Sequence, residues 1–340
     1  MTPPPPGANN PYSEEEPYAD ALLRGIELAV EDVLANPGRN ITRTEQEKLC
    51  YFAIKEFDLP VTYSWYLAGA YTKVAGEPDN APGRMTTNTG NVRRDHGESE
   101  EVQQYRDYFA SEVFFDDYDL REVWYTGKFD FLRDFYQKCA PDEYTGLYIT
   151  STDIREHLDT LDETIEQETT NHSLSDFGGG SQGGLLSESD EREFRLLISD
   201  LHLELAEIDE LYEIMDLVTR GSDVIEQAFA QLTTLESISS EQETVLQDLS
   251  PYFYYDIWRY PALYISTQTT EGPNRHRLVE EHADRFTSFH ENLLSRRNWL
   301  SERCADADLY PCAGHHSQQV DEEQIAHLHD MAREVLEGTE

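Results

Sequence analysis

"TRTEQEKLCYFAIKEFDLPVTYSWYLAGAYTK", residues 42–73, is the stretch whose reading decides the fold. Thr42 stands where it can cap a helix, and Glu45, three residues on, can return a bond to the cap. Leu49, Phe52, Ala53 and Phe57 then form an apolar stripe that Cys50 and Ile54 widen, until Pro60 drives Leu59 out of helical geometry. Beyond the proline, Val61, Tyr63, Trp65 and Leu67 alternate as in a short strand, while Tyr63, Tyr66, Leu67 and Ala70 fit a helical face nearly as well. The segment after Pro60 therefore stays open between strand and helix. Leu49, Phe52, Phe57 and Trp65 are expected to build the core of the N-terminal half.

On the N-terminal side, Leu22, Ile26, Ala29, Val30 and Val33 recur at helical spacing and Pro37-Gly38 stops that helix; residues 1–15, with four successive prolines, read as a disordered tail. On the other side, residues 75–98 carry the Gly, Asn and Pro content of a long loop or hairpin tip. Helical patterns resume near 103–115, 127–139 and 150–168, the last with Leu158, Leu161 and Ile165 toward the core. The Gly-rich run at 171–188 reads as a linker, and no strand or Gly-Lys-Ser/Thr step frames its glycines as a phosphate cradle.

Past the linker, Phe194, Ile198, Leu201, Leu205, Ile208, Tyr212 and Met215 alternate steps of four and three, as in a coiled coil or a long helical hairpin. Gly221 is expected to end that helix, with Val224, Ala228, Phe229, Leu232 and Leu235 on a returning one. "SPYFYYDIWRYPALYIS", residues 250–266, is a second aromatic cluster, read as core in preference to a partner surface. A long helix near 275–303 and a terminal helix near 321–337, capped by Asp321 and Gln324, complete the chain. The fold class is thus mainly α: an N-terminal helical or winged-helix-like domain over 16–170, then a C-terminal helical bundle over 189–340 with a long heptad-patterned helix.

Sixty-eight acidic residues oppose 26 basic ones, for a formal net charge of −42, and the acids are spread through every helix instead of forming a tail. Lys48, Lys55, Lys73, Lys128 and Lys138 are its lysines. A carboxylate-covered, lysine-poor surface resembles that of proteins from salt-accumulating archaea, where molar KCl shortens the Debye length to ~3 Å and screens self-repulsion. A halophilic, cytoplasmic protein is expected: no apolar signal core or membrane-length apolar run occurs, and the four cysteines suit thiols or metal ligands better than disulfides.

Ligand-type residues gather in "CADADLYPCAGHH", residues 304–316, where Cys304, Cys312, His315 and His316 could converge on a structural zinc. The wide gap between the cysteines departs from common zinc knuckles. His282 and His290 are too far apart along one helix to share a metal and read as satisfied histidines. No Ser-His-Asp grouping or His-Glu-x-x-His pair is present, so a catalytic role is not supported and no cofactor other than zinc is expected.

The helix at 42–57, followed after a Pro-containing turn by "SWYLAGAYT", resembles the start of the Panacea domain, the group of SocA-like antitoxins, and the layout also resembles archaeal winged-helix-like proteins. Lys48, Leu49, Tyr51 and Phe52 match the family's lysine-leucine and aromatic pairs, and Trp65 with Gly69 matches its aromatic before a glycine-containing turn; the family's Gly-Pro-Val turn is replaced by Ala-Gly-Ala. The resemblance implies a helical regulatory or neutralising module acting by binding, with the 84–94 loop in the place of a wing. Between Lys73 and Arg94 the basic residues Lys73, Arg84, Arg93 and Arg94 outnumber Glu77 and Asp79, so Arg84, Arg93 and Arg94 are the candidate DNA contacts. Three readings follow: an antitoxin-like or transcription-regulator-like protein with a protein partner, a metal-dependent protein centred on residues 304–316, and a scaffold that dimerises through the 194–215 helix.

Overall fold

The computed structural model describes residues 12–34, 39–73, 99–172, 186–235 and 237–310. Helix α1 (Glu16–Val33) buries Leu22, Ile26, Ala29 and Val30. It crosses α3 (Glu100–Phe109) so closely that a Cβ on Gly25 would lie 2.6 Å from the Tyr105 Cβ, so a residue without a side chain permits the approach. Helix α2 (Arg43–Phe57) opens on the expected capping box: Thr42 N–H donates to Glu45 Oε2 at 2.7 Å, and Thr42 Oγ1 accepts from Glu45 N. Its Leu49–Ile54 stretch is wholly buried, which fits a helix at the centre of a layer better than one at its surface.

After Pro60 the chain is a strand, not a helix. Strands β1 (Tyr63–Tyr66) and β2 (Gly69–Thr72) pair antiparallel, with Tyr63 opposite Thr72 and Trp65 opposite Ala70, and all eight residues are buried. Alternation decides the partners of each face. Trp65 faces the N-terminal helices, stacked on Phe135 at 5.5 Å and edge-on to Tyr51 and Tyr148. Ser64 and Tyr66 face the opposite way: the Ser64 hydroxyl donates to Ser266 O, and Tyr66 lies against His282. This hairpin is a core element.

Short α4 (Leu120–Tyr125), then α5 (Lys128–Cys139) and α6 (Thr145–His172), close the N-terminal side. Helices α7 (Glu188–Ala206) and α8 (Asp209–Leu232) follow, then α9 (Ser240–Leu246), α10 (Leu249–Tyr252), a π-helical stretch (Phe253–Ile257), α11 (Arg259–Thr269) and the long α12 (Arg275–Asp306). The chain is mainly α, and among the described residues no helix is long and apolar enough to cross a membrane.

The heptad seam is a helical hairpin, one of the two arrangements its spacing allowed, but it ends earlier than the spacing predicts. Phe194, Ile198, Leu201, Leu205 and Ile208 are buried, but the helix breaks at Glu207–Ile208 and Tyr212 is exposed. The result is a helical hairpin: Phe194, near the start of α7, stacks on Phe229, near the end of α8, at 4.0 Å. The seam residues Phe194, Ile198, Leu201 and Leu205 face inward across the hairpin. Gly221 lies inside α8, where Ile257 and Tyr252 press against it, and does not end the helix.

The sequence-defined halves meet on the hairpin. Trp258, 1% exposed, donates its indole N–H to Leu67 O at 2.7 Å, and Tyr148 donates to Tyr66 O. Tyr63 exchanges two backbone hydrogen bonds with Glu271. Buried Glu15 accepts from Thr62 N, Thr62 Oγ1 and Asn274 Nδ2, and so binds the N-terminal turn, the hairpin and the start of α12 together. One continuous apolar core runs from Leu22 to Leu309. The 250–266 aromatics complete the core begun by the 42–73 stretch.

Candidate functional site

Where α2, β1 and residues 269–271 meet, the surface opens into a cleft of about 340 Å³. Its walls come from distant parts of the sequence: Tyr51 and Lys55 from successive turns of α2, Tyr63 and Trp65 from one face of β1, Cys139 and Pro141 from the end of α5, and Thr269 and Glu271 from the C-terminal half. The floor is rigid because its rings hold one another. Tyr51 meets Tyr63 edge to face at 5.4 Å and Trp65 at 5.6 Å, and the Trp65 backbone N–H donates to Thr269 Oγ1.

The rim is charged and solvated. Lys55 Nζ donates to the Tyr63 phenol at 3.1 Å and lies 3.7 Å from Glu271 Oε2. Burial, then the neighbouring Glu271, drives the Tyr63 phenol far above its ordinary range. Burial likewise pushes the Cys139 thiol up to about 12, with Asp116 and Asp134 adding to the effect. At neutral pH the cleft thus holds a neutral thiol and neutral phenols, which can bind a ligand but are not activated as nucleophiles.

Lys48 is buried one turn before Tyr51, with Nζ donating to Ala70 O at 2.9 Å and lying 5.3 Å from the centroid of the Phe135 ring. Burial lowers its ammonium from 10.5 to about 8, and nearby Glu47 limits the fall. Between those two values the unfolded chain binds more protons than the folded one, so this group's contribution to stability rises with pH across that window. At neutral pH its cost is of order 3 kcal/mol. Lys48→Met is expected to leave the fold neutral or more stable at pH 7 and to remove that rise. Denaturation curves of both proteins at pH 7 and pH 9 measure it; a rise of equal size in the variant would contradict the assignment.

A second polar cluster lies under the other face of the hairpin. His282 is held between the Ser266 hydroxyl at Nδ1 and the Tyr71 phenol at Nε2, and Ser64 Oγ sits 2.5 Å from Ser266 Oγ. Ser64 and Ser266 are fully buried and His282 is 1% exposed, so this serine–histidine pair is sealed from substrate and specifies how the hairpin seats on α11 and α12. His290 meets the Tyr260 phenol at 3.4 Å, so both histidines are satisfied, as expected. A further groove of about 510 Å³ lies beside α6 and α7, but its Arg133 is already held by Asp130, Asp153 and Glu156.

Of the residues singled out as metal ligands, Cys304 lies in the last turn of α12, its thiol fully buried and pushed by burial up to about 12. Cys312, His315 and His316 lie outside the described residues, as do Arg84, Arg93 and Arg94. Among the described residues no group of three His, Cys, Asp or Glu side chains is placed to hold a metal ion. Sequence reasoning found Trp65 as a core aromatic and Tyr51 as part of an aromatic pair on the first helix, but missed Lys55 and Glu271 as a site. The available signal was the lysine itself, rare in this chain and one helical turn beyond Tyr51.

The chain belongs to the family described as a domain of unknown function, DUF8098, whose pattern matches residues 9–335 and so spans both halves and the Gly-rich run between them. Comparison with curated proteins and with solved structures finds no match.

Proposed function

We propose that this protein acts by binding, as a regulatory or protein-interaction module of a salt-rich cytoplasm, and that the cleft between α2, β1 and residues 269–271 is its contact surface. The observation that carries the reading is the solvated Lys55–Glu271 pair at the mouth of a cleft formed by both halves of the chain, over a floor of buried rings and a neutral thiol. Aromatic side chains with a wet polar edge are the usual anchors of recognition surfaces. The uniform acidity supports a high-salt setting, because at low ionic strength a charge of −42 would repel itself and most acidic partners. The antitoxin-like or regulator-like role suggested by residues 42–73 belongs to the same class of action.

The test is affinity capture from a halophilic extract in molar KCl, comparing the wild type with Lys55→Glu. The variant places two carboxylates at the rim and is expected to lose a specific partner at least tenfold while its melting temperature is unchanged, since Lys55 is partly exposed. Equal capture by both proteins would remove the cleft from the account. A second reading, DNA contact through Arg84, Arg93 and Arg94, is favoured by the locally positive sequence there. Nucleic acid recovered in the same capture would support it.

A further inference from the structure

We infer that the outer face of α7 is a self-association surface, on which a second copy of this chain packs antiparallel about a two-fold axis passing between Ser199 and Asp200. The inner side of α7 buries Phe194, Ile198, Leu201 and Leu205. Its outer side carries Leu196 and Leu203, 59% and 63% exposed, the only leucines left so open among the described residues. Seven positions carry a helix through nearly two whole turns, so the two leucines share one stripe, about 10 Å apart. On or beside that stripe lie Arg192, Glu193, Ser199, Asp200, Ala206 and Glu207, all exposed.

The charges of the stripe commit it to a copy of the same chain. Arg192 and Glu207, at its two ends, make no ion pair among the described residues. The axis sets Arg192 against Glu207 of the partner subunit, twice by symmetry, and Leu196 against Leu203 of the partner subunit. Asp200 then lies opposite the partner's Ser199 and Glu193 opposite the partner's Ala206, so no two like charges face each other. A parallel pairing in register would oppose every charge with itself. Two chains of charge −42 repel at low ionic strength, but molar KCl screens beyond ~3 Å and leaves apolar burial and direct ion pairs to decide. No residue lining the cleft belongs to α7, so the two surfaces are distinct.

Sedimentation of the full chain in molar KCl is the test. The wild type is expected to dimerise with a Kd of about 10 μM, in keeping with a contact of one helix from each copy. Leu196→Ser and Leu203→Ser are each expected to weaken the dimer at least tenfold with unchanged circular dichroism, because both side chains are exposed. Arg192→Glu is expected to weaken it about fivefold, and adding Glu207→Arg to restore it. On mild oxidation Ser199→Cys is expected to cross-link beyond the wild type, whereas Glu193→Cys, whose two copies would stand about 20 Å apart, is not. A monomer up to about 100 μM, a dimer indifferent to both leucine changes, or Glu193→Cys cross-linking as fast as Ser199→Cys would overturn the inference. Lost folding stability in a monomeric Leu196→Ser would overturn it too, since another part of this chain would then cover the stripe.

Discussion

Replacing Trp258 with alanine is expected to destabilise the fold by about 5 kcal/mol, the largest single effect among the contacts described. Two terms combine. Removing a fully buried indole leaves a cavity where large-to-small changes cost about 3–5 kcal/mol, and the Leu67 carbonyl, which accepts the indole N–H at 2.7 Å, loses its partner for about 1–3 kcal/mol more. Trp258→Phe keeps most of the volume and the edge-on contact with Tyr148, so it is expected to cost only about 2 kcal/mol. Chemical denaturation of the three proteins in molar KCl separates the terms. A loss below about 1 kcal/mol for the alanine variant would mean that the hairpin does not depend on the C-terminal half.

Gly272→Ala is expected to cost about 4 kcal/mol. Gly272 has φ +109°, where a side chain is strained by about 1–3 kcal/mol, and a Cβ there would lie 2.6 Å from the Thr62 Cα and 2.9 Å from the Val61 carbonyl oxygen. Because the obstruction is backbone, the hairpin and residues 271–274 must part. That breaks the Tyr63–Glu271 pairing and the Thr62–Asn274 contact, and with them the rim of the cleft. Gly127→Ala is the control. Its nearest new neighbour would be Asp130 Oδ2 at 3.5 Å, an ordinary contact, and its cost should stay within about 0.5 kcal/mol. Equal melting temperatures for the two variants would contradict the close approach at Gly272.

Both expectations concern contacts between residues some two hundred positions apart, and distance along the chain separates what was legible in the sequence from what was not. The α2 cap could be read directly, since Thr42 and Glu45 satisfy each other within one turn. The seam of Phe194, Ile198, Leu201 and Leu205 was legible from its spacing alone. Its end was not: neither glycine nor proline marks Glu207–Ile208, and Tyr212 continues the rhythm while lying exposed on the next helix. Gly221 misleads in the opposite sense, since it serves a close approach by Tyr252 and Ile257 inside a helix.

The strand character of 63–66 was undecidable locally, because an apolar run with both faces buried carries no polar face to fix its period. Its partners on the second face, Ser266 and His282, come from the C-terminal half. The site was half legible. Tyr51 and Trp65 stand out by composition, whereas Glu271 is one acid among 68 and nothing local distinguishes it.

Hydrogen exchange of the protein, free and bound to the partner captured in molar KCl, tests the central claim most directly. The account predicts slowed exchange at residues 51–66 and at 269–271 together, because a ligand in the cleft touches both halves. Protection confined to 84–94 or to the outer face of α7, with 51–66 and 269–271 unchanged, would contradict it.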